Sequence, residues 1–176
     1  MKLKISQKLY LSYLQTRLKT LAALSPSSAA KYTYKLFCTP FSGKQLLPMP
    51  AIFQQAEKVN IESGGYNHTG FKFLAPNHNG SQILICHGFD SCCYKFEAYI
   101  LPLIQQGYHV LLFDATGHGL SEGKMIHSYA YSRMILAIEK KFGLLNGFIA
   151  HSLGGLASCL AIEELPDLQK RKLVLV

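Results

Sequence analysis

One serine stands where a nucleophile would be exposed. In Phe148-Ile149-Ala150-His151-Ser152-Leu153-Gly154-Gly155 an apolar run of strand type leads straight into Ser152, and residues of helical type follow. A strand that turns sharply into a helix holds the corner residue in a strained conformation and pushes its hydroxyl into the open. The corner is also a helix N-terminus, where the dipole favours negative charge. Ala150 and Gly154 suit such a turn, which brings strand and helix backbones too close for larger side chains. The competing reading is an ordinary helix start with Ser152 as its N-cap; the strand directly before it favours the corner.

The elements that must hold this serine can be traced from Glu57 onward. Short apolar runs alternate there with longer helical ones, the pattern of a mostly parallel sheet covered by helices. Residues 58–62 and 68–74 read as strands flanking Gly64-Gly65-Tyr66-Asn67, a connection rich in turn formers, and so form a hairpin. Strands over 83–87, 109–114 and 147–151 follow. Helices fall over 94–106, 129–141 and 152–164, stopped by Gly107, Gly143 and Pro166 respectively. A sixth strand, cut off, begins at Leu173. The fold class is α/β.

Three segments now stand in order: His87-Gly88-Phe89 after one strand, Asp114-Ala115-Thr116-Gly117-His118-Gly119-Leu120-Ser121 after the next, and Ala150-His151-Ser152-Leu153-Gly154 after a third. Over about residues 57–176 the sequence resembles the α/β-hydrolase superfamily. The first segment looks like its oxyanion-hole loop, the second like the loop after its fourth strand, and the third like its nucleophile elbow. Within the superfamily it looks most like the esterase, lysophospholipase and serine-aminopeptidase-like branch. It departs from the usual pattern at Ala150, where Gly is common, and at Thr116, where Pro is common.

The resemblance implies that Ser152 attacks an ester, thioester or amide carbonyl, and that the amides of Phe89 and Leu153 hold the oxyanion. Leu153 begins a helix, so its amide has no intrahelical partner. In this fold the triad runs Ser, then Asp or Glu, then His, with both partners on loops after the sixth and later strands. Residues 153–176 contain no histidine, and Glu163, Glu164 and Asp167 lie at the far end of the helix that starts at the nucleophile. The expectation is a partial α/β-hydrolase fold of six strands, truncated before the acid and the base and inactive alone. His118 reads as structural rather than as a base. The alternatives are a non-catalytic binding or interaction protein on the same partial fold, or carbon-carbon bond hydrolysis on that scaffold.

Other chemistries find less support. His87, His118 and His151 sit at strand ends, yet no carboxylate or Cys falls at ligand spacing, so no metal is expected. Gly117, Gly119 and Gly123 do not keep GxGxxG spacing, and no cofactor is expected. The five cysteines are odd in number and include no CxxC pair, which argues against a disulfide framework. Vicinal Cys92-Cys93 reads as a pair of small buried residues.

The net charge of +8 is uneven, because no acid precedes Glu57 while ten acids balance ten bases from there on. No nucleic-acid partner is therefore expected. Residues 1–55 read as a basic helical extension and 56–176 as an incomplete α/β-hydrolase core. In the extension, apolar residues from Leu3 to Leu24 suggest one helix, Ser25-Pro26 starts another, and Thr39-Pro40 closes it, with a loop over 46–50. Its lysines, interleaved with Tyr10, Tyr13, Tyr32, Tyr34 and Phe37, suit a peripheral contact with an anionic membrane. A solvated extension packed on the domain is the preferred reading. No apolar run reaches membrane-spanning length and no secretory signal can be drawn, so a cytoplasmic location is expected. The expected partner is a small-molecule or lipid-like acyl substrate.

Overall fold

The computed structural model describes residues 5–42 and 47–176. In sequence order the strands are Glu57–Ser63 (β1), Tyr66–Phe73 (β2), Gln82–Cys86 (β3), His109–Phe113 (β4), Gly147–Ala150 (β5) and Lys172–Leu175 (β6). They form one sheet in the spatial order β1-β2-β4-β3-β5-β6. β1, β2 and β4 are antiparallel neighbours, whereas β4, β3, β5 and β6 run parallel. The helices over the sheet are Glu97–Gln105 (α3), Ser128–Phe142 (α4) and Leu153–Glu164 (α5). Ile5–Leu24 (α1) and Pro26–Cys38 (α2) precede it.

Side-chain alternation along the strands divides the core into two layers. Leu84, Leu111, Phe113 and Phe148 point to the side covered by Met134, Ile135 and Ile138 of α4 and Ala157 and Ala161 of α5. Ile83, Ile85, Val110 and Leu112 point to the other side, where Ile100 of α3, Phe53 and Tyr94 cover them. Both faces of β3 and β4 are therefore buried, which is why these strands read as unbroken apolar runs. β1 instead buries only Val59 and Ile61 and exposes Glu57, Lys58, Asn60 and Glu62.

Two elements differ from the sequence reading. Tyr66 and Asn67 belong to β2, since Ser63 pairs with Tyr66. The turn is thus only Gly64-Gly65, with φ of 59° and 78°, the left-handed pair that a tight hairpin requires. The helix expected over 94–106 is split, with a 3-10 turn at Cys93–Phe96 before α3. The physical reason is a tether: the Cys93 amide donates to the buried Asp114 carboxylate at 2.8 Å.

Residues 1–39 and 40–176 form two compact units. In the first, α1 packs on α2, Ser25 caps α2 by accepting from the Ser28 amide, and Pro26 supplies the first helical position. The reading of Leu3 and of Leu46 falls outside the described residues. In the second unit Phe53 is buried edge-on against Phe71, Phe73 and Tyr94, with centroids 4.7–5.3 Å away.

Besides its pairing with β5, β6 has a side-chain anchor at the residue that leads into it. The Arg171 guanidinium donates to both carboxylate oxygens of Glu139 on α4, to the Leu145 carbonyl at 3.0 Å, and twice to the Pro166 carbonyl at 2.9 and 3.0 Å. All its donors are occupied. Removing one member of a buried ion pair typically costs about 3–5 kcal/mol, because the partner is left uncompensated. Arg171→Ala should lower the unfolding free energy by roughly that much, read as a shift of the urea midpoint by circular dichroism. Arg171→Lys should recover only part of it.

Candidate active site at the turn from β5 to α5

Ser152 lies between β5 and α5 at φ 50° and ψ −116°, one of three non-glycine residues with positive φ among those described. Such a conformation costs on the order of 1–3 kcal/mol and persists only where the surroundings impose it. Its side chain makes no capping hydrogen bond to α5, so the ordinary N-cap geometry is absent. Ser152 and His151 are both exposed.

The surroundings that impose the corner are backbone. A Cβ on Gly154 would stand 2.5 Å from the Cys86 carbonyl oxygen and 2.6 Å from that of His87. The first turn of α5 therefore rests directly on the end of β3. Ala150, in register with Cys86, is fully buried beneath it. A Cβ on Gly88 would likewise stand 2.5 Å from Nδ1 of His151, so the loop leaving β3 passes against the corner.

The structure thus brings the Gly88-Phe89 segment and the Ser152-Leu153 segment together. The first α5 amides with protein acceptors are Gly154, donating to His151 O, and Gly155, donating to Ser152 O, both at 2.9 Å. Among the described residues the Phe89 and Leu153 amides donate to no protein acceptor.

What fixes the loop after β3 is a set of buried polar side chains. His87 Nε2 accepts from the Ala115 amide at 2.9 Å, so its proton is on Nδ1, which donates to the Gly88 carbonyl at 2.7 Å. His118 repeats this arrangement. Its Nε2 accepts from the Asp90 amide at 3.0 Å and its Nδ1 donates to the Thr116 carbonyl at 2.9 Å. Asp114 accepts from the amides of Cys93 and Leu120 at 2.8 and 2.9 Å. Gly119 packs so closely on that carboxylate that no Cβ fits. Asp90, itself at φ 57°, accepts from the amide and hydroxyl of Ser42 at 3.0 and 2.6 Å.

Both imidazoles work only when neutral, since each uses one nitrogen as an acceptor. Burial pushes His87 down to about 4, with the Asp114 carboxylate, 4.0 Å away, opposing the shift. Burial also lowers His118, against the pull of the Thr116 carbonyl. The three histidines singled out in the sequence are thus accounted for: two brace loops, and His151 lies beside Gly88. Among the described residues no three His, Cys, Asp or Glu side chains are grouped so as to hold a metal ion. The anchoring by Asp114 and Ser42 is absent from the sequence reading. Asp114 had a signal in the two glycines that follow it within five residues, whereas Ser42 had none.

Residues 77–176, more than half of the chain, match the family model for serine aminopeptidase, S33. The chain is 28% identical over 101 residues to an uncharacterized hydrolase, YugF, of Bacillus subtilis, an alignment covering 54% of this chain and 37% of that protein. Among solved structures it is similar to the epoxide hydrolase VrEH1 of Vigna radiata, with a TM-score of 0.58, 22% identity, and coverage of 70% of this chain and 40% of that one. It is also similar to the esterase PF2001 of Pyrococcus furiosus, with a TM-score of 0.61, 18% identity, and coverage of 74% and 53%. The chain therefore spans well under two thirds of the length of each of these proteins. Both structural likenesses are of fold.

The bracing histidines make stability pH-dependent in a defined direction. Between 6.5, the unperturbed histidine value, and about 4, the unfolded chain takes up a proton that folded His87 refuses. This contribution is intact above 6.5 and is lost as pH falls to about 4, on the order of 3 kcal/mol in all. Urea melts across this range should show stability falling with pH, and His87→Gln should flatten the slope while lowering stability at neutral pH. A variant slope equal to that of the unmodified chain would show that His87 is not the titrating brace.

Proposed function

The chain belongs to the serine aminopeptidase S33 family of the α/β-hydrolase superfamily, and from that premise we propose that Ser152 is the nucleophile of an acyl-transfer hydrolase. The observation that carries the reading is the exposed Ser152 at φ 50°, next to a loop and a helix start whose Phe89 and Leu153 amides have no protein acceptor among the described residues. In the proposed reaction the Ser152 Oγ bonds to the carbonyl carbon of an ester or amide. The carbonyl oxygen takes the negative charge, and the amides of Phe89 and Leu153 donate to it. Collapse expels the alcohol or amine, and water then releases the acyl group from Ser152. Each such donor is worth about 2.7–4 kcal/mol in the transition state.

Proton transfer from Ser152 needs a base. The nitrogens of His87 and His118 are engaged with backbone groups, and residues 153–176 contain no histidine. Glu163 and Glu164 close α5 at its far end, about 16 Å along the axis at 1.5 Å per residue. Neither bracing histidine is free to serve as that base, and in this reading a histidine outside these 176 residues completes the site. Phe89, half-buried and edge-on to Phe41 at 6.3 Å, supplies an apolar wall suited to an acyl chain.

The test is hydrolysis of p-nitrophenyl esters. The 176 residues alone should show no turnover above their Ser152→Ala variant, while a longer form that supplies the base should turn over and lose at least about 10⁴-fold in kcat on Ser152→Ala. Turnover by the 176 residues that Ser152→Ala abolishes would place the base among them. Full activity of Ser152→Ala in the longer form would remove the serine mechanism.

A further inference from the structure

Residues 1–39 contain seven Lys and Arg and no Asp or Glu. Within this unit α1 has no fully buried residue. At 100° per residue, Leu14, Leu18 and Leu21 share one side of α1 and are half-buried. A second apolar stripe runs along a different side through Ile5, Leu9 and Tyr13 to Leu24, and these are 78, 67, 55 and 79% exposed. Ser6 lies in the same stripe, as do Thr16 and Thr20. The two threonine hydroxyls donate back to the carbonyls of Ser12 and Thr16 at 3.0 Å, so their polar groups are already engaged. On the helical projection Lys8 and Lys19 border one edge of the stripe and Arg17 the other, where its guanidinium donates to the Tyr13 hydroxyl at 3.0 Å and lies over the Tyr32 ring.

We propose that this face of α1 docks on the surface of an anionic phospholipid bilayer. An interfacial helix buries its apolar side at the level of the acyl boundary and keeps its cations among the headgroups. The stripe and its cationic borders have that layout, and the absence of any acid from the unit removes repulsion from lipid phosphates. Tyr13 in the stripe is a residue suited to the headgroup level, with an apolar ring and a polar tip. A nucleic-acid backbone would match the cations but would leave Ile5, Leu9 and Leu24 unburied. The mode is surface attachment: no helix among the described residues is long and apolar enough to cross a membrane. The proposal is independent of the role of Ser152.

The experiment is co-sedimentation of the full 176-residue chain with vesicles of phosphatidylcholine alone and of equal parts phosphatidylcholine and phosphatidylserine. Binding to the mixed vesicles should be at least about ten-fold tighter and should weaken with added salt. Leu9→Ser with Tyr13→Ser, and separately Lys8→Gln with Lys19→Gln, should each weaken it by about five-fold or more. All four positions are exposed, and far-UV circular dichroism checks that the helices persist; the charge pair tests the idea even if the apolar pair unfolds α1. Equal affinity for the two vesicle types, no binding, or insensitivity to both pairs of substitutions would overturn the proposal. So would a dimer in sedimentation velocity that Leu9→Ser with Tyr13→Ser dissolves without lipid binding, which would assign the stripe to a second copy of the chain.

Discussion

The arrangement of the site depends on one close approach, the first turn of α5 resting on the carbonyl oxygens that end β3. With Gly154 about one bond length too close for any side chain, strand β5 has no room for a gradual exit and must reverse its direction at Ser152. The same contact sets where the loop leaving β3 can go. It passes over the corner at Gly88, the other residue there with no space for a Cβ. Two glycines, one against the carbonyl oxygens ending β3 and one against the His151 ring, bring the two segments of the site together.

The loops themselves are built from polar groups that face inward. His87, His118 and Asp114 are buried, and each spends its hydrogen-bonding capacity on backbone amides and carbonyls of loops and of the 3-10 turn at Cys93. A buried loop without such partners would carry unsatisfied amides at about 1–3 kcal/mol each. The imidazoles suit this task because one ring both donates and accepts, bridging two stretches of chain at a fixed distance. Their neutrality is a requirement of the fold, quite apart from any chemistry at Ser152.

Much of the fold was legible because it rests on local pattern. The apolar runs at 83–87 and 109–114 announced strands buried on both faces, and the small residues around Ser152 announced the corner. What was missed rests on partners distant in sequence. The helix expected over 94–106 breaks because Cys93 is tied to Asp114, twenty-one residues away. Ser42 reaches Asp90 across forty-eight residues, and Arg171 reaches Glu139 across thirty-two. No periodicity encodes such pairs. His118 was read as structural within its motif, whereas the bracing role of His87 was not read, and the tautomers of both follow from geometry alone.

The positive φ of Ser152 sets folding against chemistry at a single position. Glycine occupies that region without steric cost, whereas serine pays for its Cβ. Selection for stability alone would thus drift toward Ser152→Gly, a substitution that relaxes the corner by on the order of 1–3 kcal/mol while deleting the hydroxyl. Keeping Ser152 at the corner therefore carries a standing cost in stability, one that use of its hydroxyl in the proposed reaction would offset.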